Sequence, residues 1–155
     1  DWVEITATIA IEKYLDLLEK TFVIFSLSSY SSNLRNELKK SRKYYFWDLG
    51  IRNALIQNYN PLINRQDTGS LWENFCVAER LKFNHNQQKI RSCYFWRTYD
   101  GAEVDLLEEE GGKIKVFEFK WSPRKTVRLP LSLRESYQVE EVKTIHHWHL
   151  QELFV

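Results

Sequence analysis

Three β-prone runs joined by two glycine turns constrain this chain more than any other feature. The runs are CYFWRTY from Cys93 to Tyr99, AEVDLL from Ala102 to Leu107 and KIKVFEFKW from Lys113 to Trp121. Asp100-Gly101 separates the first two, a strong hairpin signal because glycine adopts the positive φ such turns need. Glu108 to Gly112, EEEGG, reverses the chain again. The three runs therefore read as a meander. Upstream, Leu71, Phe75, Ala78 and Leu81 follow the spacing of one helix face. Downstream, SLRESYQVEE reads as a short helix and VKTIHHWHL as a final strand. The second half is thus helix, three strands, helix, strand: an α/β domain with a mixed sheet and flanking helices.

The first half is less regular. Ile9, Ile11, Tyr14, Leu15, Leu17 and Leu18 predict a helix over Thr6–Lys20, and TFVIFSLSSY predicts a strand. Residues 31–43 are polar and basic and predict a loop or β-wing. YYFWDLGIRNALIQNY reads as a strand, a turn at Asp48–Gly50 and a helix. Asn60–Gly69, with proline, glycine and turn formers, is the linker candidate. The boundary follows: 1–60 as a first segment, 61–155 as the α/β domain. Ser70 and Glu73 match a helix-capping box, with Ser70 as the N-cap.

Bulk properties exclude several classes. The 155 residues suit one domain plus an appendage, and 43% hydrophobic residues can build a core. A net charge of +1 predicts neither a nucleic-acid arm nor an acidic tail. Two cysteines, Cys76 and Cys93, make no framework and no CxxC, which fits reduced thiols and a cytoplasmic setting while leaving one disulfide open. No apolar run is long enough for a membrane span, and no signal peptide is visible. The chain opens without Met inside what reads as structure, so a fragment of a longer protein is expected.

Chemistry concentrates in the meander. Side chains alternate across a strand, so Glu118 and Lys120 share a face with Ile114 and Val116, and Glu103 and Asp105 share one on the neighbouring strand. If those strands pair, Asp105 comes beside Glu118. Two adjacent carboxylates repel unless a cation sits between them. Mg²⁺ is held in this way by one or two carboxylates, waters and phosphate oxygens. The competing reading is an ordinary surface ion pair, which contributes little.

The segment FWRTYDGAEVDLLEEEGGKIKVFEFKWSP resembles the core of the PD-(D/E)XK nuclease superfamily, with Glu73, Asp105, Glu118 and Lys120 at its acid and lysine positions. More narrowly, the whole chain resembles the domain of unknown function that follows AAA-type ATPase domains in prokaryotes. The stretches that carry this are Tyr14 to Glu19, Lys43 to Gly50, Gly69 to Phe75, Trp96 to Asp105 and Glu118 to Lys120. The resemblance implies a partial winged-helix segment leading into a restriction-endonuclease-like domain. It also implies an N-terminal ATPase partner and Mg²⁺- or Mn²⁺-dependent hydrolysis of DNA, with metal on Asp105 and Glu118. The superfamily also contains inactive members, so a non-catalytic DNA- or protein-binding module is the alternative. This chain departs from the pattern in three ways: there is no GxxxxGK[ST] for ATP, the first winged-helix helices are absent, and Val104 stands where the superfamily's proline would.

Other residues have two readings each. Glu73 is a catalytic acid or only a capping residue. Arg97 is a phosphate contact or a cross-strand partner for an acid. Arg35, Lys39, Lys40, Arg42 and Lys43 form a DNA-contacting wing or a solvated face. The run IHHWHL suggests zinc, but in a strand only His147 and His149 would converge, with no further ligand at suitable spacing.

Overall fold

The computed structural model describes residues 2–31, 41–122 and 129–155, with side chains described from residue 10 onward. Arg35, Lys39 and Lys40 lie outside the described residues.

The elements, in chain order, are α1 (Trp2–Lys20), β1 (Ile24–Ser28), β2 (Arg42–Phe46), α2 (Leu49–Leu55), a 3-10 turn (Leu62–Asn64) and α3 (Thr68–Asn86). They continue with β3 (Ser92–Arg97), β4 (Glu103–Glu110), β5 (Lys113–Phe119), α4 (Leu131–Ser136), β6 (Val139–Ile145) and a second 3-10 turn (Leu150–Phe154). β1 and β2 form an antiparallel pair, and a mixed sheet runs β3-β4-β5-β6. Within that sheet β5 and β6 run parallel, with α4 in the connection between them.

Both meander turns form where glycine permits them. The Thr98 carbonyl accepts from the Gly101 amide at 3.2 Å, and Gly101 carries φ +91°. Gly111 and Gly112, at φ +62° and +81°, make the second reversal. Asp48 caps α2 by accepting from the Gly50 and Ile51 amides.

The mixed sheet is covered on both faces. On one, Trp72, Cys76 and Val77 of α3 pack with Leu106, Phe117, Phe119 and Ile145. On the other, Trp96, Val104, Leu107, Ile114 and Val116 meet Leu129 and Leu133. Val104 and Leu107 therefore share a face while Leu106 takes the opposite one. That breaks strict alternation, and the pairing shows why: Tyr94 pairs with Leu107 but Trp96 with Val104, a slip of one residue. β4 carries an extra residue across Asp105–Leu106, a β-bulge that re-aims the side chains beside it.

Three local expectations are corrected. α3 begins at Thr68 after Asp67, so Ser70 lies inside the helix and no capping box forms. Asp67 does not cap with its side chain, because Arg65 and Arg52 occupy its carboxylate. β5 ends at Phe119, so Lys120 and Trp121 follow the strand instead of continuing it. β6 ends at Ile145, and His146–His149 form a turn.

α3 also buries charge. The Arg80 guanidinium donates to both oxygens of Glu108, at 2.7 and 2.9 Å, and neither residue is accessible to solvent beyond 1%. Asn84 adds a third donor to Glu108, and Arg80 also reaches the Leu153 carbonyl. The helix, β4 and the C-terminal turn are thereby tied together in the dry interior.

Candidate functional site

β4 and β5 pair Leu106 with Phe117, so the next positions outward place Asp105 opposite Glu118. Phe117 and Phe119 face α3, which leaves Glu118 on the face of Ile114 and Val116. At the bulge, one Asp105 oxygen (Oδ2) accepts from the Phe119 amide at 2.9 Å. Lys120, just past the strand end, then closes the group: its Nζ donates to Asp105 at 3.1 Å and to Glu118 at 2.8 Å. Asp105 is 8% exposed and Glu118 3%. This is a nearly dry cluster of two acids and one cation, unlike a solvated surface pair.

The electrostatics follow from that burial. Desolvation, and then the adjacent Asp105 charge, push the Glu118 carboxyl up to about 7, with Lys120 opposing them. Burial works to lower the Lys120 pKa, but the two carboxylates outweigh it and hold it above the ordinary lysine value. Asp105 and Glu118 offer carboxylate oxygens, which suit a hard cation. Among the described residues no three His, Cys, Asp or Glu side chains converge as a metal-ligand group. A cation on Asp105 and Glu118 would thus complete its shell with water and substrate oxygens, as Mg²⁺ commonly does.

A second cluster lies where β2 meets α3. Glu73 accepts from Lys43 at 3.0 Å and from the Tyr45 hydroxyl at 2.8 Å. Lys43 also pairs with Glu103, and Arg97, the cross-strand neighbour of Glu103, donates to the same carboxylate. Burial works to raise the Glu103 pKa, but Lys43 and Arg97 overcome it and hold it below the usual glutamate value. Tyr45 is driven far up, by burial and then by Glu73, with smaller contributions from Asp105 and Glu103, so its hydroxyl stays a donor. Glu103 and Asp105 lie two residues apart on β4, so the two clusters are neighbours at one end of the sheet.

The structure gathers Asp105, Glu118 and Lys120 in direct contact. Glu73 stands apart from them, its carboxylate engaged by Lys43 and Tyr45. Arg97 takes the cross-strand role. Lys43 bridges two acids at a half-buried position, and Arg42 is exposed. Sequence reasoning missed Tyr45 and the bridging role of Lys43, since their acid partners, Glu73 and Glu103, lie far along the chain. A Lys-x-Tyr pair on one face of a short strand is the signal that was there to read. Two of the histidines tie to neighbouring backbone: Nδ1 of His146 and of His147 lie 3.1 and 2.7 Å from the Lys120 and Trp121 carbonyl oxygens. Both cysteines are free thiols.

Fold and site define a mixed α/β domain in which one end of the central β4–β5 pair holds a lysine-bridged carboxylate pair. The profile of a domain of unknown function, DUF4143, matches residues 68–151, just over half of the chain, and the chain belongs to that family. A second domain of unknown function, DUF8612, matches residues 6–62. Two curated relatives, "Uncharacterized protein Mb2031c" of Mycobacterium bovis and "Uncharacterized protein Rv2008c" of Mycobacterium tuberculosis, are each 32% identical over 110 residues. The match covers 70% of this chain and 24% of each relative, so the chain spans about a quarter of their length. No solved structure matches it. Among the described residues no helix is long and apolar enough to cross a membrane.

Proposed function

We propose that residues 61–155 form a PD-(D/E)XK nuclease-like domain whose Asp105–Glu118–Lys120 cluster hydrolyses DNA phosphodiesters with Mg²⁺ or Mn²⁺. The supporting observation is the convergence of two carboxylates from adjacent strands on one ammonium, at 3.1 and 2.8 Å. The order α3-β3-β4-β5-α4-β6 agrees with the superfamily core. A divalent cation there supplies a more acidic bound water and polarises the phosphoryl group. Asp105 and Glu118 are the residues that would hold it. Lys120, displaced from its bridging position, would steady the attacking water or neutralise charge developing on phosphate. Glu73, fixed by Lys43 and Tyr45, would orient water or metal from α3. Of the described DNA-contact candidates, Arg42 alone is exposed and outside an ion pair with these acids; Lys43 and Arg97 act through Glu73 and Glu103. By the same resemblance, residues 1–60 are the remainder of a winged helix and the partner is an AAA-type ATPase domain.

One observation favours a second reading, a non-catalytic nuclease-like module that serves the ATPase: each of the four carboxylates has a lysine partner inside the chain. Incubation with plasmid and linear DNA plus Mg²⁺ or Mn²⁺ separates the two. Cleavage that disappears in both Asp105→Ala and Lys120→Ala supports the nuclease. DNA binding without cleavage supports the module, and neither activity in the folded protein refutes both DNA-directed readings.

A further inference from the structure

The β1–β2 hairpin is fastened on both sides. Along the outer edge of β2 the Asn74 side-chain amide does what a neighbouring strand would. Its oxygen accepts from the Phe46 amide at 3.0 Å, and its nitrogen donates to the Phe46 carbonyl at 2.7 Å. The chain after β1 runs on to the β3 edge, where Ser29 bridges to Phe95 in parallel and the Tyr30 amide donates to the Phe95 carbonyl at 2.7 Å. Phe25, Leu27 and Tyr45 of the hairpin share one buried core with Cys76, Leu106 and Phe117. The hairpin is therefore built into the body formed by α3 and the mixed sheet, although it lies in the stretch matched by the DUF8612 profile.

On that fixed strand Lys43 and Tyr45 are two residues apart and share a face. Both donate to Glu73, the residue before Asn74 on α3, at 3.0 and 2.8 Å. Lys43 also pairs with Glu103, two residues before Asp105 on β4. One face of β2 thus spans the gap between the α3 carboxylate and the strand that carries Asp105. Tyr45 is 5% exposed. A buried hydroxyl on a rigid ring, bonded to a carboxylate, fixes its partner more firmly than an ammonium on a flexible stem.

We propose that Tyr45, braced by Lys43, is a positioning residue for the Asp105–Glu118–Lys120 site, acting through Glu73, so that both profile-matched stretches assemble that site jointly. The proposal rests on the nuclease reading and deepens it: β2 sets where the Glu73 carboxylate stands relative to Asp105. Groups that orient the residues around a metal site in this way are typically worth about 10–100-fold in activity.

Steady-state cleavage of plasmid DNA with Mn²⁺ by the full chain tests it. Tyr45→Phe removes one hydroxyl and lowers kcat about 10–100-fold with KM unchanged, because a buried ring does not touch DNA. In a Glu73→Gln background the same substitution costs nothing further, since the carboxylate it holds is gone. A tyrosine that only supports the fold would lower both backgrounds alike. Tyr44→Phe, one residue along and on the opposite face of β2, leaves kcat unchanged. Tyr45→Phe that cleaves like the wild type, or whose loss repeats in full on Glu73→Gln, overturns the positioning role and leaves the nuclease reading standing. A folded wild type that cleaves no DNA overturns both.

Discussion

Replacing Glu118 by Gln keeps the shape of the buried cluster and removes its proton. In the native protein this carboxyl titrates near 7, against an ordinary 4.5, because burial and Asp105 disfavour its charge. The folded state therefore holds a proton between those values that the unfolded chain has released. Stability conferred by that proton is fully present below pH 4.5 and is lost as pH rises through 7. At 1.36 kcal/mol per pH unit the loss is on the order of 3 kcal/mol. Glu103, Glu108 and Asp67, whose folded pKa values lie below ordinary, contribute slopes of the opposite sign at lower pH. The informative quantity is the difference between wild type and Glu118→Gln, in which those slopes cancel. Urea unfolding from pH 4.5 to 8, without divalent metal, should show the wild type losing on the order of 3 kcal/mol relative to the variant. A difference that stays flat across this range would refute the idea that burial beside Asp105 controls this carboxyl.

Other outcomes follow from the buried charges. Arg80→Leu should cost about 3 kcal/mol, because Glu108 at 1% exposure loses its two-point cation and keeps only Asn84 and a 3.3 Å contact to Arg91, and Arg80→Leu/Glu108→Leu should recover part of that in chemical denaturation. Lys43→Met should destabilise by about 1–3 kcal/mol in the same assay, since Glu73 and Glu103 both lose a half-buried partner. Tyr45→Phe should cost less, about 1 kcal/mol, because Lys43 still satisfies Glu73. Gly101→Ala, at φ +91°, should cost about 1–2 kcal/mol by backbone strain alone, measured as a lower Tm.

The part of this fold legible in the sequence is local. Asp100-Gly101 and Gly111-Gly112 marked both meander turns, and alternation around Glu118 placed it with Ile114 and Val116. The opposition of Asp105 to Glu118 was readable because a short turn leaves few registers between β4 and β5. The bulge was not readable: one extra residue on β4 depends on how Val104 and Leu106 pack against opposite layers. The start of α3 was misread because Asp67 is two residues from Arg65, and no local rule says that their salt bridge outcompetes a cap. Arg80 looked like an ordinary helix charge and Glu108 like part of the EEEGG turn; β4 instead runs on to Glu110, and only the closed interior pairs the two. The histidine run followed β6 in hydrophobic pattern, yet the turn is set by carbonyls of Lys120 and Trp121 on a neighbouring segment.

Calorimetric titration with Mn²⁺ bears most directly on the lysine-bridged carboxylates. A cation site built by Asp105 and Glu118 predicts one bound ion per chain, proton release near pH 6.5 as Glu118 ionises, and loss of binding in Asp105→Ala and Glu118→Gln. Absence of binding by the folded wild type, or binding that survives both substitutions, would contradict it.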